Sequence, residues 1–258
     1  MPPISLRRFA LRMSLVFGVA MLAGCATPPP ADDPDAVADF NELNDPMEPM
    51  NRFIFDNNMR ADRYILRPAA EGYRAVVPQF GRNRVSDFIA NLKSPVVFMN
   101  QVLQGNLSRA GVTIERFLLN STFGVGGIMD VSTPMGIKGH DADFGETLAV
   151  WGVGEGPYLV LPLLGPSNPR DGIGYGVDST ADPLGYYLDD HHMRWVAWTR
   201  FGVSGIATRE AYLDVLDDVK RTSLDYYSAM RSLYRQHRQA EIIDARNPAS
   251  NAAAGADR

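Results

Sequence analysis

A single cysteine, Cys25, stands in 258 residues. Internal disulfides are excluded, and so is any metal site built on thiolates. No apolar run in the body of the chain reaches the length of a bilayer-spanning helix, and no apolar–polar alternation is sustained as a strand would require. The sequence has no Gly-x-Ser-x-Gly elbow, no His-Glu-x-x-His and no Walker loop, and none of its glycine clusters follows a strand as a dinucleotide fingerprint must. A hydrolase would lack its nucleophile–base pair or its metal. Positive charge is scarce as well. The net charge is −5, and Arg7, Arg8 and Arg12 all fall in the first 24 residues, so the remainder is more acidic still. That argues against nucleic acid as a partner and against simple electrostatic docking on anionic headgroups. No internal repeat is evident.

What is present is a chain of ordinary globular composition, 45% hydrophobic and 21% charged, long enough to bury a substantial core. Its N-terminus is organised. The three arginines precede a short uncharged apolar run from Leu15 to Leu22, and Leu22-Ala23-Gly24-Cys25 follows. The run is too short for a permanent span. The four residues resemble the lipobox of bacterial lipoproteins, which implies cleavage before Cys25 and acylation of its thiol and new amine. Several acyl chains anchor firmly where one binds reversibly. Ala26 and Thr27 follow, where an Asp would resemble an inner-membrane retention signal. The expected destination is therefore the outer membrane, on its periplasmic side.

These features divide the chain into a signal peptide (1–24), a lipidated cysteine and extended Pro-, Ala- and Asp-rich tether (25–44), a helical body (45–243) and a disordered tail (244–258), of which Asn247 onward has little to bury. The body is expected to be mostly α. Asp45, Pro46 and Glu48 read as a capping box opening a helix that Pro68 ends. Val85, Phe88, Ile89 and Leu92 mark a second helix from about Asn83, broken or kinked at Pro95 and continued to Leu103. Gly105-Asn106 is a stop, and Leu107, Ala110, Ile114, Phe117 and Leu118 mark a third. Thr208 reads as the cap of a later helix. Thr222 with Asp225 reads as the capping box of the last one, and Arg221, Arg231, Arg235 and Arg238 make this last region basic, as a solvated face or a docking surface.

Residues 123–174 differ. They are dense in glycine and proline yet apolar, so regular long helices are not expected, and the backbone polar groups need shelter in protein or at a protein–lipid boundary. Within this stretch Gly152, Gly154 and Gly156 alternate, which suits either a tight turn packed on a helix or a hinge beside a moving apolar element. His140 lies near Asp141, Asp143 and Glu146, and His191-His192 follows Asp189-Asp190. Neither set has the spacing of a calcium loop or a full zinc site, and polar loops are the plainer reading. No metal and no cofactor is expected.

Several blocks resemble, in order, those of the MlaA (VacJ) lipoproteins. They are Asn44-Asp45-Pro46-Met47-Glu48-Pro49-Met50-Asn51-Arg52; Asn91-Leu92, Pro95 and Asn100 through Leu103-Gln104-Gly105; Arg116-Phe117-Leu118-Leu119-Asn120-Ser121-Thr122 with Gly124, Gly126-Gly127 and Asp130; and Phe144-Gly145-Glu146-Thr147-Leu148 through Trp151-Gly152-Val153-Gly154-Glu155-Gly156-Pro157-Tyr158 to Leu161-Pro162, Gly165-Pro166 and Arg170-Asp171. The resemblance covers roughly residues 44–190. It implies a ring-like helical lipoprotein in the inner leaflet of the outer membrane. Its amphipathic channel would pass mislocalised phospholipid from the outer leaflet to a soluble periplasmic carrier, in association with a trimeric porin, and so maintain lipid asymmetry without catalysis. On that resemblance a mobile hairpin maps to about residues 117–143, including Phe117, Phe123, Gly126, Gly127, Ile128 and Met129, with Gly152, Gly154 and Gly156 as its hinge. The alternative is a structural envelope lipoprotein that binds no lipid beyond its anchor.

Overall fold

A computed structural model describes residues 43–247. The expected signal peptide, Cys25 and the last residues of the tail lie outside the described residues. The described chain is mostly helical and divides into two compact units, residues up to Met59 with Gly156–Pro169, and Arg60–Glu155 with Arg170 onward. Among the described residues, no helix is long and apolar enough to cross a membrane.

In the first unit, helix α1 (Glu48–Ala61) starts after Asp45, whose carbonyl accepts from the Glu48 N–H at 3.2 Å and whose carboxylate accepts from Asn51 Nδ2 at 2.7 Å. Asn51 is fully buried and uses both ends of its amide on a short antiparallel pair, β1 (Leu159–Leu161) and β2 (Gly165–Ser167). Its Nδ2 donates to the Tyr158 carbonyl at 3.0 Å, and its Oδ1 accepts from Val160 N at 2.9 Å. Asn58 repeats the device one pair of turns later, on the Leu161 carbonyl and the Leu163 N–H. Side-chain amides, Asn51 fully buried and Asn58 partly so, thus pair strand groups that no further strand of the described residues covers. Asn44, expected at the end of the tether, is instead tied in. Its carbonyl accepts from Tyr158 N at 2.8 Å, and its Nδ2 donates to the Gly156 carbonyl at 2.7 Å.

The chain does not leave its helix at Pro68. A π-helical turn, Asp62–Leu66, leads into α2 (Arg67–Val76), with Pro68 near the start of α2. Proline has no N–H and its ring crowds the preceding turn. A wider π turn placed just upstream accommodates both. Helix α3 (Gln79–Leu103) begins four residues before the expected point, after Pro78, and runs through Pro95. Asn106 caps α4 (Leu107–Thr122), its side chain accepting from the Arg109 N–H at 3.2 Å. After an irregular stretch come α5 (Phe144–Val150), α6 (Pro169–Ala181), α7 (Pro183–Asp190), α8 (Arg194–Ala211), α9 (Leu213–Thr222) and α10 (Tyr226–Arg246).

Two expected caps move. Thr208 lies inside α8, and Thr222 closes α9 with its hydroxyl turned back to the Asp218 carbonyl at 2.8 Å. Asp225 alone caps α10, accepting from Tyr227 N at 3.1 Å and Ser228 Oγ at 2.7 Å. Helix α10 also continues past residue 243, the expected end of the body. Asp244 takes a two-pronged bond from Arg109 at 2.8 and 2.9 Å, and Ile242 and Ala245 are buried.

Packing in the second unit leans on arginine. Helices α2 and α8 run against each other, and Arg209 of α8 grips Asp62 at 2.6 and 3.0 Å. Arg74 of α2 holds Glu210 at 2.7 Å and Asp214 at 2.9 Å, and Arg67 binds Asp217 with both prongs. Planar guanidinium–carboxylate pairs fix orientation as well as contact. Where α5 meets α6 the backbones nearly touch. A Cβ on Gly174 would stand 2.2 Å from the Gly145 N, so neither helix admits a larger residue at that crossing.

Candidate functional site

The distribution of burial is inverted. Among the described residues, buried polar and charged side chains outnumber buried hydrophobic ones, and the most enclosed include Gln101, Asn51, Asn100, Thr147 and Ser132. Large apolar side chains lie outside instead, among them Phe80, Phe123, Val125, Trp151, Trp195 and Trp198. A water-exposed monomer seldom leaves so many large apolar side chains outside. The arrangement suits a protein that meets hydrocarbon on part of its outside and keeps its polar groups within.

The segment 117–143 shows both sides of this. The N-terminal part of its loop is apolar and outward. Phe123 is 74% exposed and Val125 65%, with Ile128 and Met129 also exposed, whereas Phe117, on α4, is half-buried. Gly126 and Gly127 both have positive φ, and a Cβ on Gly127 would strike the Asn91 amide at 2.2 Å. The return strand of the loop is pinned by polar groups. Asn120 Oδ1 accepts from Val131 N, Ser132 N and Ser132 Oγ at 2.9–3.1 Å. Arg116 donates to Asp130 at 2.8 Å, to Thr133 Oγ1 at 3.1 Å and to the Ile137 carbonyl. Burial alone would raise the Asp130 carboxyl, but the Thr133 hydroxyl and the Arg116 guanidinium hold it down at about 2.

A second polar cluster joins α5, α6 and α10. Arg238, nearly buried, contacts Asp143 at 2.6 and 2.7 Å, Asp171 at 3.0 and 3.1 Å and Glu241 at 3.1 Å. Asp171 also accepts from Arg170 Nε at 3.0 Å and from the Tyr234 hydroxyl at 2.5 Å. Burial would raise Asp171, yet these donors keep it below the ordinary carboxylate range. Beside it Asn100 donates to Asp178 at 2.8 Å and accepts from the Thr147 hydroxyl at 3.0 Å.

Two adjoining cavities open among these groups. One, of about 270 Å³, is lined by Asp87, Asn91, Thr113, Arg116, Asn120 and Asp130 among others. The other, of about 380 Å³, lies among α3, α5 and α10 and is lined by Lys93, Asp141, Asp143, Glu146, Glu241 and Asp244. Gly139, His140 and Asp141 border both. Burial, and then the Arg109 charge, lower the His140 pKa from 6.5, which keeps its ring neutral. Glu146 is 5% exposed and makes no ion pair with any described residue. Burial first, and Asp143 second, push its carboxyl up to about 8.

The alternating glycines fall at the end of α5. Gly152, with φ +92°, closes that helix. Its N–H bonds the Ala149 carbonyl at 3.0 Å and Val153 N bonds the Leu148 carbonyl at 2.9 Å, the two-bond ending that a left-handed residue makes possible. Gly154 has open space around its Cα, and Gly156 turns again at φ +71°. His191 does not join a ligand set. Its ring stacks on Tyr187 with centroids 4.1 Å apart, and Nδ1 lies 2.8 Å from the Tyr187 carbonyl. Among the described residues, no group of three His, Cys, Asp or Glu is placed to hold a metal ion. Sequence reading missed the Arg238 cluster, because its members lie up to 95 positions apart. The one available signal was a string of arginines on an otherwise amphipathic last helix.

The sequence profile of the family described as MlaA lipoprotein matches residues 43–241. The chain belongs to the MlaA lipoprotein family. The matched span takes in α1 to α9, most of α10 and each of the blocks quoted from the sequence. The chain is 36% identical over 235 residues to the Escherichia coli (strain K12) protein named intermembrane phospholipid transport system lipoprotein MlaA, covering 88% of this chain and 86% of that one. It is 37% identical over 202 residues to an uncharacterised protein of Rickettsia prowazekii, covering 78% and 79%. A solved structure, described as the structural basis for maintenance of bacterial outer membrane lipid asymmetry, superposes with a TM-score of 0.68 at 36% identity, covering 77% of this chain and 98% of that chain. The mostly helical fold is therefore that of an MlaA protein.

Proposed function

We propose that this chain is the lipoprotein of an intermembrane phospholipid transport system. It is anchored through lipidated Cys25 on the periplasmic side of the outer membrane. It takes mislocalised phospholipid from the outer leaflet through an amphipathic channel and passes it to a periplasmic carrier, in association with a trimeric porin, and it does so without catalysis. The observation that carries this reading is the inverted burial. A phospholipid has a charged head and two apolar tails, and a path for it needs enclosed polar groups next to apolar surface. The Asn120–Asp130–Arg116 and Arg238–Asp171 clusters, the two polar cavities and the exposed Phe123–Met129 tip supply those parts. Membership of the MlaA family supports the substrate and the direction.

The test is outer-leaflet phospholipid in cells lacking the protein, read by lipid A palmitoylation and detergent sensitivity. Deletion should raise both readouts, the intact chain should restore them, and Cys25→Ala should not. No change on deletion, in a strain that expresses and localises the parent protein, would move the assignment to a structural envelope lipoprotein.

The hairpin of residues 117–143, turning about Gly152, Gly154 and Gly156, is the moving part of this proposal. The boundary between the two compact units falls beside it, at Glu155–Gly156. A side chain in the left-handed region costs about 1–2 kcal/mol per residue. Gly152 and Gly156 carry that cost, so replacing all three glycines by alanine should strain and stiffen the turn and alter lipid leakage or clearance in the same assays. Normal asymmetry, with the variant present at wild-type level, would remove the hinge.

A further inference from the structure

We infer that the 380 Å³ cavity among α3, α5 and α10 receives the phosphoethanolamine headgroup of a zwitterionic phospholipid, its ammonium against Glu146 and Asp141 and its phosphate against Lys93. The inference rests on the transport reading and names a headgroup within it.

The walls carry unspent charge of both signs. Asp143 and Glu241 are paired with Arg238, and Asp244 with Arg109. Three lining groups make no ion pair with any described residue: Lys93, Asp141 and Glu146. Lys93 and Asp141 are on the exposed side, while Glu146 is almost wholly enclosed. A carboxyl enclosed among Asp143 and Glu241, with Arg238 already engaged by three acids, has a deficit of positive charge at its own position. A cation with N–H donors meets it. His140, held neutral beside them, supplies no such charge. In the adjoining cavity, Asn91 is 6% exposed and its Oδ1 has no hydrogen-bond partner, a further enclosed acceptor asking for a donor.

The raised Glu146 supports the assignment, since a carboxyl kept protonated for want of a cation ionises when one arrives. Headgroup chemistry decides among lipids. Phosphatidylglycerol offers no cation, and phosphatidylcholine offers one without N–H donors. Only the primary ammonium gives charge-assisted hydrogen bonds to carboxylates, about twice as strong as neutral ones.

The experiment uses the full-length lipoprotein in detergent. Wild type, Lys93→Gln, Glu146→Gln and the Asp141→Asn/Glu146→Gln pair are mixed with vesicles of equal phosphatidylethanolamine, phosphatidylglycerol and phosphatidylcholine carrying identical acyl chains. Each protein is re-isolated and its lipid counted by mass spectrometry. Wild type should enrich phosphatidylethanolamine on the order of tenfold over phosphatidylcholine. The carboxyl pair should bind as much total lipid with the enrichment gone. Lys93→Gln should lower all bound lipid while keeping the ratio. Lipid bound by wild type without enrichment, or enrichment that survives in the carboxyl pair, overturns the headgroup site and leaves transport standing. Wild type that carries no phospholipid overturns the transport reading and the headgroup site together.

Discussion

Arg238→Met should destabilise the folded protein by about 3–5 kcal/mol, the range for removing one partner of a buried charge pair. Arg238 is 8% exposed on α10 and meets Asp143 beside α5, Asp171 on α6 and Glu241 on its own helix. Methionine matches the stem and keeps the packing. The loss is therefore the charge and the donors rather than a cavity. Two of the three acids have ways to adjust. The Asp143 side chain is 45% exposed and the Glu241 side chain 37%, so water can take over part of their hydration. Asp171, at 11%, cannot escape into water, although it keeps the bonds from Arg170 and Tyr234. The penalty consequently concentrates there. Asp171→Asn added to Arg238→Met should recover part of the loss, since the two changes remove a pair rather than half of one. Chemical denaturation followed by circular dichroism measures both. A loss below about 1 kcal/mol in the single variant would mean that the cluster is solvated and contributes little.

The elements best read from the sequence were those with local causes. Helix α4 follows from its apolar spacing and the Gly105-Asn106 stop, and the structure places it where those residues put it, with Asn106 as its cap. Pro68 misled for a local reason that was invisible locally. Proline need not end a helix whose preceding turn can widen around its ring, and here that turn is π-wound. Thr208 and Thr222 misled because Ser and Thr caps are common but a hydroxyl inside a helix has another outlet, the carbonyl four residues back, which Thr222 takes. Helices α6 to α8 carry few periodic apolar residues that face a core. Trp195, Trp198 and Phe201 on α8 are exposed, so the pattern that marks a helix in water is turned outward. The same inversion hid the site. Asn100, Asn120 and Asp130 were legible as parts of family blocks. Their roles were not, since Asn100 meets Asp178 across 78 positions and Arg109 meets Asp244 across 135. Periodicity describes one element at a time, whereas these bonds are made between elements.

Glu146 gives the second large effect, and its sign runs opposite to that of Arg238. Its carboxyl has an ordinary value of 4.5 and stands at about 8 in the folded protein, because burial and then the charge of Asp143 oppose ionisation. The folded state thus binds the proton more tightly than the unfolded chain does. Below pH 4.5 both states hold it and the group is neutral in the balance. Between 4.5 and 8 the unfolded chain ionises first, so stability falls steadily as pH rises, and above 8 the penalty is complete. Each pH unit is worth about 1.4 kcal/mol, so the ceiling is roughly 5 kcal/mol, reduced by any water that reaches the cavity. Glutamine is nearly isosteric and does not ionise. Glu146→Gln should therefore match wild type near pH 4.5 and exceed it by a few kcal/mol at pH 8.5, in protein stripped of lipid. The groups that face Glu146 and also titrate or carry charge are Asp143, Asp141, Glu241, Asp244, His140, Lys93 and Arg238. All but Glu146 are retained in the variant, so the difference between the two pH curves isolates this carboxyl. Denaturation midpoints across pH 4.5–9 decide it. Curves that stay parallel through that range would place an ionised Glu146 in contact with water, and would take away the buried charge deficit on which a headgroup ammonium could act.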